Sequence, residues 1–337
     1  MSEELKIYKQ NRISEANNTY NTNVSRLQII LSNDISRVMS STRISNKQKQ
    51  ILIKNLQNNY NSNISMLRTN LNNIINKINS FTPEFLVNKN AIKNKKALLI
   101  GINYIGTPYE LGGCIDDSKR IKDWLSTNGC SNFVMLNDLS NNKPTKNNIL
   151  RELSNFIEKS NENDMLFLYY SGHGSYTYDT NNDETDKQDE LLVSSDLLPI
   201  LDDELKRILN EKLKKNVTLI GLFDCCNSGT ILDLKYNYVD SNNYDKYFEN
   251  NKATECNGNV IMLSGCMDSQ TSAEAIIENK TQGALTWSFL ESLQRNPNCS
   301  WRELLLSMRN LLKKNNFTQI PQLSTDSFYD ITSKVFV

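Results

Sequence analysis

Apolar positions along the chain follow two different periods. Up to about residue 80 they recur every three or four residues, at Tyr20, Val24, Leu27, Leu31, Ile35 and Val38, and again at Tyr60, Ile64, Leu67, Leu71, Ile74 and Ile78. That spacing predicts two long helices with a narrow apolar seam. A break at Ser40-Ser41-Thr42, with Ser45 as N-cap before Lys47, folds them into an antiparallel hairpin. From Lys96 onward the apolar residues gather instead into short runs: Lys96–Asn103, Phe133–Leu136, Met165–Ser171, Val217–Phe223, Asn259–Leu263 and Tyr329–Phe336. Between them lie amphipathic stretches at Ile115–Thr127, from the Thr145 N-cap to Lys159, Asp202–Lys214, Gly283–Gln294 and Ser300–Lys314. Strands alternating with helices predict an α/β domain with a mostly parallel sheet flanked by helices, preceded by the α-helical hairpin. The segments 177–190 and 233–258 read as polar loops. The expected organisation is residues 1–80 as a helical, coiled-coil-like region, 81–94 as a linker interrupted by Pro83, and 95–337 as the α/β domain.

Reactive residues stand where two of these strands end. Val217–Phe223 runs directly into Asp224, Cys225, Cys226, Asn227, Ser228 and Gly229. Met165–Ser171 runs into Gly172-His173-Gly174, and His173 is the only histidine in the chain. Open α/β sheets bind ligands beyond the carboxyl ends of their strands. Adjacent parallel strands, about 4.8 Å apart, would set His173 beside the thiols at one sheet edge. The bland readings are a packed cysteine and a structural histidine. Alternation along the strand sends Cys225 and Cys226 to opposite sides.

Composition narrows the chemistry further. With 38 basic and 38 acidic residues, nothing global points to nucleic acid or to a membrane. Seven irregularly spaced cysteines, no signal-peptide pattern and no long apolar span predict reduced thiols in the cytoplasm. One histidine and no C-x-x-C argue against zinc. The acidic stretch 179–190 sets Asp179, Asn181 and Asp183 in alternation with Glu190 at position twelve. Glu184 stands where a calcium-binding EF-hand loop needs glycine, so it reads as a solvated loop.

The pair S-G-H-G and D-x-C-x-S-G resembles the caspase-type fold, and within it the metacaspases, over roughly residues 95–337. Cys226 follows His173 by 53 residues, the separation of about 50 seen in caspases. Asn227 replaces the histidine that metacaspases usually carry after the nucleophile. The helical N-terminal region, without a Pro-rich or zinc-finger-like prodomain, is atypical of a type I-like member. The resemblance implies a calcium-dependent cysteine endopeptidase cleaving after Arg or Lys through a Cys-His dyad. In that reading Cys226 is the nucleophile, His173 the acid and base, and the N–H groups of Gly174 and Cys226 the oxyanion hole. The positions that match the family's substrate pocket are Cys114, Asp117, Ser171 and Asp224. Those that match its calcium site are Asp189, Asp202, Asp203 and Asp233. Lys235, Lys246 and Lys252 would be candidate self-cleavage sites in the loop after the cysteine strand. A true caspase would want basic residues around aspartate, and these are acidic. The rival reading is a degenerate caspase-like scaffold that binds partners, or a second copy of itself, through the hairpin.

Overall fold

A computed structural model describes residues 3–80, 92–178, 188–238, 248–250, 253–265, 274–277, 280–327, 329, 331 and 333–335. The chain divides into two units, residues 1–86 and 87–337. Most of the expected linker, residues 81–91, lies outside the described residues.

The first unit is the hairpin of α1 (Glu3–Ser40) and α2 (Asn46–Ser80). Ser45 caps α2 through a capping box: its Oγ accepts from the Gln48 N–H at 3.3 Å, and its own N–H donates to Gln48 Oε1 at 2.8 Å. Lys9 Nζ reaches the Asn79 carbonyl and Lys49 Nζ the Met39 carbonyl, so the helices run antiparallel. The twelve seam residues are all at least partly buried, but only Ile78 among them fully; Ile29, Ile30, Met39, Ile51, Leu52 and Met66 stay exposed.

The second unit opens with β1 (Lys95–Gly101), α3 (Cys114–Thr127), β2 (Asn132–Asn137), α4 (Lys146–Glu158) and β3 (Met165–Ser171). A hairpin of β4 (Gly174–Tyr178) and β5 (Gln188–Val193), extended by β6 (Pro199–Leu201), precedes α5 (Asp202–Lys212) and β7 (Thr218–Asp224). Then come β8 (Tyr236–Tyr238), β9 (Phe248–Glu249), β10 (Asn259–Ser264), the pair β11 (Glu274–Ile277) and β12 (Lys280–Gly283), α6 (Ala284–Arg295), α7 (Trp301–Lys314) and β13 (Gln322–Thr325). The central sheet has the order β2-β1-β3-β7-β10-β13-β8-β9. Its first five strands are parallel, and β13, β8 and β9 add antiparallel partners.

Alternation along the parallel strands builds two cores. Leu99, Phe167, Tyr169, Ile220 and Leu222 face one side with residues of α3, α6 and α7, while Leu98, Leu168, Tyr170 and Leu219 face the other with α4 and α5. Both faces are thus covered by helices, as a parallel sheet requires. Thr145 caps α4 and Ser300 caps α7 through a capping box with Glu303, each worth about 1 kcal/mol.

Three expectations need correction. Among its described residues, the segment 329–336 forms no strand of the sheet, only an isolated bridge between Lys334 and Ser300. The Trp301 and Arg302 N–H groups donate to the Ser333 and Ile331 carbonyls, so its backbone satisfies the open N-terminus of α7 instead of a sheet neighbour. The last strand among the described residues is β13, whose residues are all buried. Segment 233–258 is not all loop, because Tyr236 and Tyr238 bury their rings as β8. Segment 177–190 is likewise part of the β4–β5 hairpin, with residues 179–187 outside the described ones.

Candidate active site

The site lies along the carboxyl edge of the parallel strands. Register pairs Gly101 with Ser171, and Ser171 with Asp224. His173 stands two residues past Ser171, and Cys226 two residues past Asp224, so both leave the sheet at the same level. The two turns touch at Gly174. A Cβ there would lie 2.1 Å from the Cys226 carbonyl oxygen, and only glycine permits that approach. Cys225 is 1% exposed and packs into the core, whereas Cys226 is partly exposed. Ser228, fully buried, ties the turn by donating from Oγ to the Cys225 carbonyl at 2.9 Å.

His173 is held from three directions. Its N–H donates to the Tyr104 hydroxyl at 2.8 Å, and its carbonyl accepts from the Tyr170 hydroxyl at 2.8 Å. The Tyr104 ring lies against the imidazole, with centroids 4.7 Å apart. Burial pushes the Tyr104 hydroxyl well above its ordinary range, so it stays a neutral donor, and it donates to the Val193 carbonyl at 2.7 Å. The imidazole Nε2 sits 2.8 Å from the Tyr109 carbonyl oxygen. A carbonyl only accepts, so Nε2 carries the hydrogen and a neutral ring keeps its lone pair on Nδ1.

Two carboxylates stand beside these turns. Gly283, the N-cap of α6, separates them: a Cβ on it would lie 2.1 Å from Asp224 Oδ2 and 3.1 Å from Asp117 Oδ2. Asp224 Oδ2 accepts from the Thr286 N–H at 2.8 Å and its hydroxyl at 2.6 Å, which makes Asp224 a cap on α6. Asp117 Oδ2 accepts from the Gly283 N–H at 2.6 Å, and its Oδ1 meets the Arg120 guanidinium. Burial, then the neighbouring Asp224 charge, push the Asp117 carboxyl up to about 7, with Arg120 opposing. Cys114 and Ser171, the other expected pocket residues, are buried at the first turn of α3 and the end of β3.

The acidic residues expected to hold a metal converge in part. Asp202, Asp203 and Asp233 place one carboxylate oxygen each within 4.8 Å of one another. Asp189 is buried on β5 but is not in that group. Its neighbour Glu190 donates its N–H to Asp202 Oδ2 at 2.7 Å, which ties the β5 strand to the cluster. Lys206 Nζ, buried, donates to the Asp233 carbonyl at 3.0 Å and pairs with Asp326 at 3.2 Å. Three oxygen donors with no thiol or imidazole among them suit a hard divalent cation such as calcium.

A profile of the metacaspase, peptidase C14 domain matches residues 95–235. Metacaspase-1A of Aspergillus oryzae is 36% identical over 282 residues, covering 68% of this chain and 67% of that protein. Metacaspase-1A of Neurospora crassa is 35% identical over 295 residues, covering 72% of this chain and 65% of that protein. Metacaspase-1A of Aspergillus terreus is 35% identical over 289 residues, covering 70% and 72%. The chain belongs to the metacaspase family. Metacaspases are caspase-like cysteine peptidases. The chain spans about two thirds of the length of these relatives. A crystal structure of a protein from Geobacter sulfurreducens matches the fold at 21% identity and a TM-score of 0.54, covering 73% of this chain and 99% of that one.

Within this metacaspase, Asn227 has a structural explanation. Its φ is +46°, in the left-handed region that asparagine and histidine tolerate better than other side chains with a Cβ. Asn227→Val, β-branched in that conformation, is expected to strain the cysteine turn by about 1–2 kcal/mol. Peptidase turnover and melting temperature should both fall, and Asn227→His should keep both. Equal behaviour of the Val and His variants would contradict this account of the turn.

Sequence reasoning missed Tyr104, Tyr109 and Arg120. Tyr109 acts through its carbonyl, which any residue type provides, so no sequence signal could mark it. Tyr104, at φ +52°, left only a tyrosine after a predicted strand.

Proposed function

We propose that the protein is a calcium-dependent cysteine endopeptidase that cleaves peptide bonds after Arg or Lys. The matched exit of His173 and Cys226 from the paired strands β3 and β7 carries this reading. Cys226 Sγ attacks the scissile carbonyl as the thiolate, and the tetrahedral oxyanion is held by backbone N–H groups of Cys226 and Gly174. His173 delivers a proton to the departing amine, leaving an acyl group on Cys226. It then takes a proton from the water that hydrolyses the thioester, which regenerates the thiol. The Tyr109 carbonyl fixes the ring so that Nδ1 is the working nitrogen.

The P1 side chain enters between Cys114, Asp117, Ser171 and Asp224. The negative charge of the two aspartates favours guanidinium or ammonium there. Asp202, Asp203 and Asp233, with Asp189 nearby on β5, would hold calcium, which supplies positive charge to a cluster that otherwise repels itself. These residues come from β5, α5 and the loop after Cys226, so their apposition orders both sides of the cleft. Lys235 is already paired with Glu255 at 2.6 Å, which restrains it as a self-cleavage site; Lys246 and Lys252 lie outside the described residues.

The test is hydrolysis of matched Arg, Lys and Asp peptides across a calcium titration, with excess chelator as control. Activity on Arg and Lys peptides should appear only with calcium, and Asp202→Ala with Asp203→Ala should abolish the response. Full activity in chelator, or an unchanged response in the double variant, would overturn the calcium part.

A further inference from the structure

Arg120 lies one helical turn behind Asp117 on α3 and touches the acidic pair from the side. One guanidinium nitrogen meets Asp117 Oδ1, and another meets Gln282 Oε1 on β12. Gln282 is followed directly by Gly283, whose N–H donates to the other oxygen of Asp117. The guanidinium therefore joins α3 to the strand that walls the pocket, and both Asp117 oxygens have a donor. The Asp117 side chain is 1% exposed and that of Arg120 34% exposed, so the carboxylate is buried and the arginine side chain about one third in solvent.

We propose that Arg120 is a positioning residue of the P1 pocket, whose guanidinium, bridging Asp117 and Gln282, keeps Asp117 charged and aimed beside Asp224. This rests on the proposed preference for Arg and Lys. Two buried carboxylates around one glycine repel each other, and the simplest relief is for one to take up a proton. A pocket that has done so has lost half its charge for a cationic side chain. Arg120 counters that without filling the pocket, because it approaches Asp117 from the next turn of the same helix. Among the described residues, the titratable groups facing Asp117 are Arg120 on α3, Asp224 on β7 and Tyr169 on β3, whose hydroxyl lies on Thr286. From β12 it meets the Gly283 N–H, which is neutral; Gln282 meets Arg120, and Thr286 on α6 meets Asp224.

The sign follows from which form binds. A cationic P1 side chain prefers ionised Asp117. With that carboxyl up at about 7, preference for Arg rises as the pH climbs through neutrality. Removing Arg120 takes away a force that lowers the value, so the rise moves to higher pH.

The experiment compares kcat/KM for a peptide with Arg at P1 against the same peptide with citrulline, which is neutral and nearly isosteric. The ratio, measured from pH 5.5 to 9 at saturating calcium, cancels the titration of Cys226 and His173. Arg120→Gln should lower the Arg-to-citrulline ratio at pH 7 about tenfold and move its rise to higher pH. Arg120→Lys should restore both. Melting curves establish that each variant is folded, and Arg120→Ala repeats the test if Gln does not fold. An unchanged ratio and profile would overturn the proposal. So would a higher ratio at pH 7, which would make Arg120 a competitor for the pocket. A wild type with no preference for Arg would instead remove the specificity reading on which this rests.

Discussion

Cys226→Ala is expected to reduce peptide turnover by at least about 10⁴-fold, and Cys225→Ala to leave most of it. The two thiols are neighbours in sequence but not in environment. Cys225 is sealed in the core against Phe223 and its neighbours on the α4–α5 side of the sheet. Its Sγ lies 3.2 Å from where a Cβ on Gly174 would sit, so it fills space beneath the histidine turn. Cys226 is partly exposed on the side that meets solvent. A nucleophile has to reach substrate, and a buried thiol loses thiolate character as well as access. Cys225→Ala leaves a small cavity and should cost stability, read as a lower melting temperature with little change in kcat. Turnover surviving in Cys226→Ala but lost in Cys225→Ala would reverse the assignment.

Asp224→Asn should cut kcat/KM for an Arg peptide by about 2–3 kcal/mol, tens to a hundredfold, and leave a citrulline peptide little changed. The choice of Asn matters. Asp224 also caps α6 through the Thr286 N–H, and an alanine there would leave that donor open and unsettle the helix. Asparagine keeps an acceptor oxygen and removes only the charge. It also frees Asp117 of a like-charged neighbour, which lets Asp117 ionise at lower pH and offsets part of the loss. Equal losses on both peptides would mean that Asp224 serves only as a cap.

The parallel core was legible because its strands are short apolar runs, and the helices between them carry a clear amphipathic period. The hairpin seam was legible for the same reason, down to the Ser45 cap. The edge of the sheet was not. β8 is Tyr-Asn-Tyr inside a polar stretch, and its pairing with β13 depends on partners far away in the chain. The apolar tail after Tyr329 misled because an apolar run states only that a segment is buried. Its backbone caps α7, which no period records.

Of the site, the motif residues were legible at two strand ends, but that those strands are neighbours, β3 beside β7, is seen only in the structure. What positions them was not legible. The imidazole is oriented by a main-chain carbonyl, and Asp117 is balanced by an arginine that in sequence is one more basic residue on a helix. Asp224 is a helix cap and also the neighbour of Asp117 across Gly283.

The most direct measurement is covalent labelling of the wild-type chain, with calcium, by two peptide electrophiles that differ only in an Arg or an Asp at P1. Peptide mapping by mass spectrometry then locates the adduct. The account predicts a single adduct on Cys226, formed far faster by the Arg reagent. Labelling of Cys225, or faster reaction with the Asp reagent, would contradict it.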